Sequence, residues 1–277
     1  MAPAVIVTAA LVLYPLIAGF VTSLRSGDVA LGEQSRFVGL GNYGDVVSSS
    51  TVHEAVAHTL VYVVLAVTLE LALGLIVAIA LHHVFPGRGI VLAILILPWA
   101  LPSVVSGVLW RRMFDPDSGL LNSVLMQLHL VSHPQVWLAS RTWALAFITL
   151  VHVWSVLPLV SLVLIAGLQN IPDDVYSASA VDGATPLRQF RHITLPLLRP
   201  SIAVALTIGT VWAIKIFDEI YVLNGTALNT RSIVMEVYTT TFVNADFPHG
   251  TALAFLLTGI TAVLAAGYAL AFGRSRT

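Results

Sequence analysis

The chain has 277 residues, of which 57% are hydrophobic and 10% are charged, and its mean hydropathy is +0.91. Charged residues make up about 25% of an ordinary soluble domain, so a lipid bilayer is the expected solvent here. The net charge of −1 argues against a nucleic-acid partner, since such a protein needs a basic surface to neutralise phosphates. Cysteine is absent from the sequence, which excludes disulfides and thiol chemistry.

Six apolar segments are long enough to cross a membrane, which takes about 20 helical residues. They are predicted at residues 2–24, 59–84, 89–110, 142–168, 200–223 and 250–272. For the first segment a cleaved signal peptide is the alternative, but its start carries no Lys or Arg and its apolar run exceeds the usual ~7–15 residues. Pro98 and Pro102 are expected to kink the third helix. The predicted fold class is an all-α membrane protein, with residues 1–277 forming a single transmembrane domain.

The orientation follows from the distribution of Lys and Arg, which favour cytoplasmic loops. The two sides carry equal numbers, but one set is concentrated in shorter segments. The concentrated set consists of Arg88, Arg188, Arg191, Arg199, Arg274 and Arg276. The dispersed set consists of Arg25, Arg36, Arg111, Arg112, Arg141 and Arg231. We therefore predict that both termini and residues 171–200 are cytoplasmic, and that residues 25–58, 111–141 and 224–249 form external loops.

The polar stretch IPDDVYSASAVDGATPLRQFRHITLPLLRP, residues 171–200, separates the fourth and fifth spans. Pro172, Asp173 and Asp174 are typical of the first turn of a short helix, where proline needs no N–H and acids face the positive end of the helix dipole. Gly183 is expected to end this helix, because it can adopt a positive φ.

A second short helix is predicted directly after this glycine. Thr185 can cap its start, and Leu187, Phe190 and Ile193 recur every third residue. Pro196 is expected to end it. The sequence therefore predicts two short amphipathic helices joined by a glycine elbow on one face of a membrane protein.

Several kinds of chemistry have no motif in this sequence. A P-loop needs a lysine in a Gly-rich turn, and the only lysine is Lys215, in WAIKIF. Gly-x-Ser-x-Gly and His-Glu-x-x-His are also absent. His129 and His133 are four residues apart but have no third ligand, so no metal site is predicted. Any ATP that drives this protein must therefore be hydrolysed by another subunit.

Residues 176–196 resemble the cytoplasmic signature of bacterial ABC-importer permeases, in which a Glu-Ala-Ala (EAA) element precedes Asp-Gly-Ala and an Ile-x-Leu-Pro end. The matching positions are Tyr176, Ala178, Asp182, Gly183, Ala184, Phe190, Ile193, Leu195 and Pro196, with Ile171-Pro172 ahead of them. Two further stretches look like the sugar-type subfamily that includes maltose and glycerol-phosphate permeases. One is residues 37–40 (FVGL) with Asn42-Tyr43, and the other is Phe217-Asp218 with residues 220–223 (IYVL).

The sequence departs from the family pattern in two elements. Ser177 replaces the glutamate of the EAA element, and Ser179 replaces its second alanine. Residues 224–227 read NGTA where a Gly-Gly-Pro turn often follows the fifth helix. The first departure removes the charge with which the family's glutamate could contact the ATPase.

The resemblance implies that residues 169–199 form a coupling loop docked in a groove of an ATPase subunit. The residues it implies for this coupling are Tyr176, Ser177, Ala178, Asp182, Gly183, Ala184, Phe190 and Pro196. The alternative is an amphipathic connector that lies on the lipid surface.

The resemblance also implies the location and partners of the chain: a bacterial cytoplasmic (inner) membrane, a second and unlike permease subunit, two ATP-binding cassette ATPases and an extracytoplasmic solute-binding protein. No cofactor is expected in this chain, because the partner ATPases would bind ATP and Mg²⁺.

Ionisable residues inside spans are candidates for the solute pathway, and four are visible: Glu70, Lys215, Asp218 and Glu219. The last three are spaced three and four residues apart, so they are expected to share a helix face and to pair with one another. For Glu70 a structural hydrogen bond is preferred. Sugar recognition combines an aromatic ring face with hydroxyl partners, which suggests a second set. That set consists of Trp154, Trp212, Asp218, Tyr221 and Asn224.

The predicted function is therefore that of a permease subunit of an ATP-driven, binding-protein-dependent importer for a sugar or related solute, acting by alternating access. The lack of a basic cluster in the spans favours a neutral sugar over a phosphoester. The alternatives are a glycerol-phosphate or polyol importer of the same family and an ion-coupled secondary transporter or channel. An intramembrane enzyme is a third class, but its nucleophile and metal patterns are missing.

Overall fold

The structure is a computed structural model that describes residues 2–27 and 34–273, with the side chains of residues 2–6, 269 and 271–273 excepted. The described chain is almost entirely helical. Its one ribbon pairs β1 (Arg25–Ser26) antiparallel with β2 (Arg36–Phe37), with Arg25 opposite Phe37. The helices are α1 (Ala2–Ser23), α2 (Gly41–Ser48), α3 (Ser50–His82), α4 (Arg88–Ala100), α5 (Ser103–Met113), α6 (Leu120–Gln127), α7 (Arg141–Gln169), α8 (Asp173–Val181), α9 (Pro186–Gln189), α10 (Leu195–Ile214), α11 (Asp218–Asn224), α12 (Ile233–Tyr238) and α13 (Phe247–Gly273).

Several of these helices are long and apolar enough to cross a membrane. Among the described residues, four pass by length and composition: Ser50–His82, Arg141–Gln169, Pro186–Ile214 and the part of α13 up to Tyr268. The pair α4 and α5 would make a fifth span if it is counted as one broken helix, and Val7–Ser23 is a shorter apolar helix. The predicted all-α membrane architecture is confirmed, whereas the count of six spans is supported for four or five of them by this measure.

The third predicted span, residues 89–110, is two helices rather than one kinked helix. The axes of α4 and α5 differ by 98°. Leu101 is extended (φ −80°, ψ 139°) and Pro102 likewise (φ −57°, ψ 136°). A residue that precedes proline is pushed out of the helical region, so Pro102 ends the first helix where a kink was predicted.

The fifth predicted span, residues 200–223, also differs from its prediction. Helix α10 ends at Ile214, and α11 begins only at Asp218. The prediction that Lys215, Asp218 and Glu219 share one helix face and pair is therefore wrong. Neither a proline nor a glycine causes this break. The buried position of Ile216 and the contact of Glu219 with another helix favour it instead.

Pro196 does not end a helix, contrary to prediction. Residues Phe190–Thr194 form a π-helical turn that joins α9 to α10, and the N–H of Leu195 bonds to the carbonyl of Phe190, five residues back. Proline is tolerated at the start of the following α-helix because it has no N–H to bond. The second short helix thus runs directly into the span.

The described chain divides into two compact units, residues 1–59 with 226–263 and residues 60–225 with 264–277. In the first unit, the core consists of Val46, Val52, Ala55, Ile233, Ala252 and Leu253. The amide of Asn42 donates to the carbonyls of Ser23 and Arg25, at 2.8 Å each, and so ties α2 to the end of α1. Helix α12 is tied to α3 because the N–H of Ile233 donates to the hydroxyl of Thr59 at 2.8 Å.

The second unit is built around α7, of whose residues about half are buried. Its main core consists of Ala78, Leu81, Val156, Val160, Leu164, Ile165, Leu168, Ile171, Leu198 and Ala205. These side chains come from α3, α7, α10 and Ile171, the second residue after α7. The polar segment after α7 and the breaks at residues 101–102 and 215–217 belong to this same unit.

Candidate functional site

The elbow between α8 and α9 has most of the local features that its residues predict. Asp173 and Asp174 lie in the first turn of α8, with Pro172 one position earlier, as the N-cap. Gly183 follows α8 with φ +78°, and nothing lies within 4 Å of where its Cβ would be. The hydroxyl of Thr185 caps α9 by accepting the N–H of Arg188 at 3.4 Å.

Side-chain hydrogen bonds hold α8 against the start of the following span. The hydroxyl groups of Tyr176 and Thr194 are 3.0 Å apart. The amide of Gln189 donates to the hydroxyl of Ser179 at 2.8 Å and to the carbonyl of Tyr176 at 3.3 Å. Alanine at position 179 would offer no acceptor, so the departure Ser179 supplies part of this connection. The sequence indicated no role for Gln189, and it gave Thr194 only as part of the Ile-x-Leu-Pro match.

The elbow presents apolar side chains away from the rest of its unit. Val181 is 88% exposed and Leu187 is 75% exposed. Ser177 is also exposed, and its hydroxyl donates only to the carbonyl of Asp173, one turn back. Of the other residues predicted for coupling, Ala178, Asp182 and Gly183 are exposed, whereas Tyr176, Ala184, Phe190 and Pro196 are half-buried.

A second site lies where the two helix breaks of this unit meet. Helix α5 begins at Ser103, α11 begins at Asp218, and the Ser103 hydroxyl donates to the Asp218 carboxylate. A cavity of about 320 Å³ opens beside this contact. Its lining residues are Ser103, His152, Val211, Trp212, Lys215, Ile216, Phe217, Asp218 and Glu219. Irregular backbone among membrane helices is tolerated mainly where it is buried in protein or lines a cavity.

The structure brings together two of the five residues predicted for the solute pathway. Trp212, which is half-exposed, and Asp218 both line the cavity. Tyr221 stacks on Phe217, with ring centroids 5.8 Å apart, and Phe217 lines the cavity, so Tyr221 lies next to the cavity. Trp154 instead packs edge-on against Trp110, at 5.6 Å, and Asn224 ends α11. Neither Trp154 nor Asn224 lines the cavity.

Beside the cavity, three buried ionisable side chains from three helices meet, and two of them, His152 and Glu219, also line the cavity. Nδ1 of His152 donates to a carboxylate oxygen of Glu219 at 3.2 Å, and Nε2 of His152 lies 3.7 Å from a carboxylate oxygen of Glu70. His152 is not among the residues predicted for the solute pathway, which were acids, a lysine and aromatic or amide side chains. A histidine inside an apolar span was the available signal.

A family model described as binding-protein-dependent transport system inner membrane component matches residues 70–274. The chain is 32% identical to the trehalose transport system permease protein SugA of Mycobacterium tuberculosis. The aligned 272 residues cover 98% of this chain and 87% of that protein. The chain is 30% identical to the sn-glycerol-3-phosphate transport system permease protein UgpA of Agrobacterium fabrum, over 96% of this chain and 90% of that protein.

Among solved structures, the fold is similar to that of a chain of the bacterial alginate ABC transporter, crystallised in complex with an alginate pentasaccharide-bound periplasmic protein. The TM-score is 0.83 over 96% of this chain and 90% of that one, at 21% sequence identity. The similarity at this identity concerns the fold. The family model and both relatives span most of the sequence, and the chain therefore belongs to the family of binding-protein-dependent transport system inner membrane components.

Proposed function

We propose that this chain is a permease subunit of an ATP-driven importer of a sugar or related solute in a bacterial cytoplasmic membrane. The observation that carries the proposal is the similarity, over nearly the whole chain, to a trehalose permease. The cavity between the helix breaks supports it, because an aromatic face and polar groups are found there together.

The elbow is the contact with the ATPase. The exposed side chains of Val181 and Leu187 give it an apolar surface that a groove on a partner can bury. The hydrogen bonds of Tyr176 and Gln189 connect α8 to the span that begins at α9, so a displacement of the elbow moves that span as a rigid body. Two partner ATPases bind ATP and Mg²⁺. A further partner is a second, unlike permease subunit.

The cavity at the two helix breaks belongs to the solute pathway. The half-exposed indole of Trp212 can pack on a sugar ring, and the carboxylate of Asp218 can accept hydrogen bonds from sugar hydroxyls. An external binding protein delivers the solute, ATP binding to the partners moves the elbows, and the pathway opens in turn to each side. Both termini and the elbow are cytoplasmic in this arrangement.

One observation favours a second substrate class, a glycerol phosphate or a related phosphorylated polyol. Lys215, the sole lysine of the sequence, is exposed at the cavity, and a relative is a glycerol-3-phosphate permease. An ammonium group can bind a phosphate as a point charge. Asp218 lies at the same cavity, however, and an adjacent carboxylate opposes anion binding, so the neutral sugar is preferred.

The test is ATPase stimulation in the purified assembly, reconstituted in lipid with its binding protein, across a panel of neutral sugars and glycerol phosphates. We expect a neutral sugar such as trehalose to raise ATPase activity several-fold over the binding protein alone. Stimulation by glycerol phosphates alone would transfer the function to the second class. Solute flux through this chain alone, driven by an ion gradient and indifferent to ATP, would refute both.

A further inference from the structure

Glu70, His152 and Glu219 form a buried cluster; His152 and Glu219 also line the cavity, but the proposed function gives none of the three a role. Glu70, His152 and Glu219 are 1%, 2% and 6% exposed and belong to α3, α7 and α11, respectively. Both carboxylate oxygens of Glu70 and Nε2 of His152 lack a hydrogen-bond partner within the described part of the chain. Tyr62, also buried, is close enough to Glu219 to interact with it electrostatically.

Such a cluster is costly to keep if its only purpose is packing. One imidazole faces two carboxyl groups, so a single imidazolium can neutralise only one carboxylate. Well-packed apolar side chains of similar volume are often as stable as a buried ionic group, or more so. Ionisable groups among membrane helices are rare, and they mark functional sites by default.

The contacts of the cluster lie on both sides of the break at residues 215–217. Glu219 is the second residue of α11, so its hydrogen bond from His152 holds the beginning of that helix. Glu70 holds the other side, because its carboxylate lies directly against α10 at Gly209. A Cβ at Gly209 would be 2.5 Å from Oε2 of Glu70, which no side chain there could allow without moving the carboxylate.

Residues 215–217, which form the break, and the adjacent Asp218 all line the cavity. Asp218 is adjacent to Glu219 and accepts the hydrogen bond of Ser103, while Lys215 stands at the end of α10. Lys215 and Asp218 are three residues apart and would be neighbours on one face of an unbroken helix. Their placement therefore depends on what keeps the helix broken.

We infer that Glu70, His152 and Glu219 are positioning residues for solute recognition, which hold the break at residues 215–217 and so set where Lys215 and Asp218 stand in the cavity. The link to recognition rests on the proposed function of the cavity. The placement of Lys215 and Asp218 is independent of that proposed function, and the second experiment tests it separately.

The first experiment measures solute uptake by the reconstituted full assembly carrying Glu219→Ala, Glu219→Gln or Gly209→Ala. We expect Glu219→Ala to raise the KM for the solute about tenfold, with a smaller change in maximal rate. Glu219→Gln should recover most of the affinity, because its carbonyl still accepts the bond from His152. The control is Ser161→Ala, also buried on α7, which loses only a bond within its own helix. An equal fall of maximal rate in all variants, at unchanged KM, would contradict the inference.

The second experiment uses the absence of cysteine from the sequence. Lys215→Cys is introduced alone and then with Glu219→Gln, Gly209→Ala or Ser161→Ala, and the rate of its reaction with a charged thiol reagent is followed on this chain by mass spectrometry. We expect Gly209→Ala to change the rate at least threefold, Glu219→Gln to change it less and Ser161→Ala to leave it unchanged. Equal rates in all backgrounds would overturn the positioning role. Failure of solute to protect the cysteine, in the background without other changes, would instead reject the cavity as the solute pathway.

Discussion

Gly183 adopts φ +78° at the elbow between α8 and α9, where no neighbouring atom restricts the size of a side chain. The requirement for glycine is therefore one of backbone conformation alone. A residue with a Cβ loses roughly 1–2 kcal/mol in the left-handed region, and asparagine loses less because its side chain can bond locally. The identity of residue 183 thus controls the geometry of the elbow without altering its contacts.

Gly183→Val is expected to reduce binding-protein-stimulated ATPase activity and uptake several-fold, while the chain still inserts and assembles. Gly183→Asn is the matched variant and should retain most of both activities, since asparagine tolerates a positive φ. The measurements are stimulated ATPase rate and solute uptake in proteoliposomes, normalised to the amount of assembled complex. Unchanged stimulation in the valine variant would count against coupling through this elbow.

The role of Ser179 can be only partly predicted from the sequence. The resemblance marks it as a departure from the family's alanine, but gives no reason for it. The structure supplies the reason, since the amide of Gln189 donates to its hydroxyl across the elbow. Ser179 and Gln189 are ten positions apart, on either side of a turn, so no helical periodicity in the sequence predicts their contact.

A buried ion pair connects α12 to the turn before it. A guanidinium nitrogen of Arg231 lies 2.7 Å from a carboxylate oxygen of Glu236, and these side chains are only 12% and 6% exposed. Arg231 also donates to the carbonyl of Thr226, and its own carbonyl accepts Nδ1 of His58. Loss of the carboxylate would leave the guanidinium buried without its counter-charge.

Glu236→Ala is expected to lower the free energy of unfolding by about 3–5 kcal/mol, the range for breaking a buried pair on one side. Glu54→Ala, which removes an exposed glutamate from α3, should change it by no more than about 0.5 kcal/mol. Equilibrium unfolding of the purified chain in detergent micelles measures the difference. Equal stability of the two variants would show that the pair contributes nothing to this unit.

The helix ends show where local sequence signals act and where they fail. Pro102 signals a disturbance of the third span, and the structure has a break of 98° there. The segment Lys215–Phe217 carries no such signal, because an apolar run with a single lysine is compatible with a continuous helix. Its break depends on buried contacts of Ile216 and Glu219 with other parts of the unit.

The orientation of the chain in the membrane is a prediction from the density of arginine in short loops. The chain belongs to a family of inner-membrane components and has several apolar helices, so it is a multi-pass membrane protein. Length and hydropathy do not distinguish one side of the bilayer from the other. The side on which the elbow emerges decides whether an ATPase can reach it.

Single cysteines test this orientation, because the sequence contains none. Asp117→Cys, in the predicted external loop between α5 and α6, should react with a membrane-impermeant maleimide in intact cells or spheroplasts. Asp174→Cys, in α8, should react only after the membrane is permeabilised. Both side chains are exposed, so accessibility within the chain is matched. The reverse pattern of labelling would place the elbow outside and exclude its contact with a cytoplasmic ATPase.

Hydropathy and local backbone preferences are sufficient to predict the membrane class, most of the spans, the cap of Thr185 and the positive φ of Gly183. Only the folded chain shows the break at residues 215–217, the contact of Ser103 with Asp218, and the cluster of Glu70, His152 and Glu219. These features join residues from different helices, and their formation depends on how buried polar groups find partners. Such partners are chosen by packing, which the order of residues along one chain does not display.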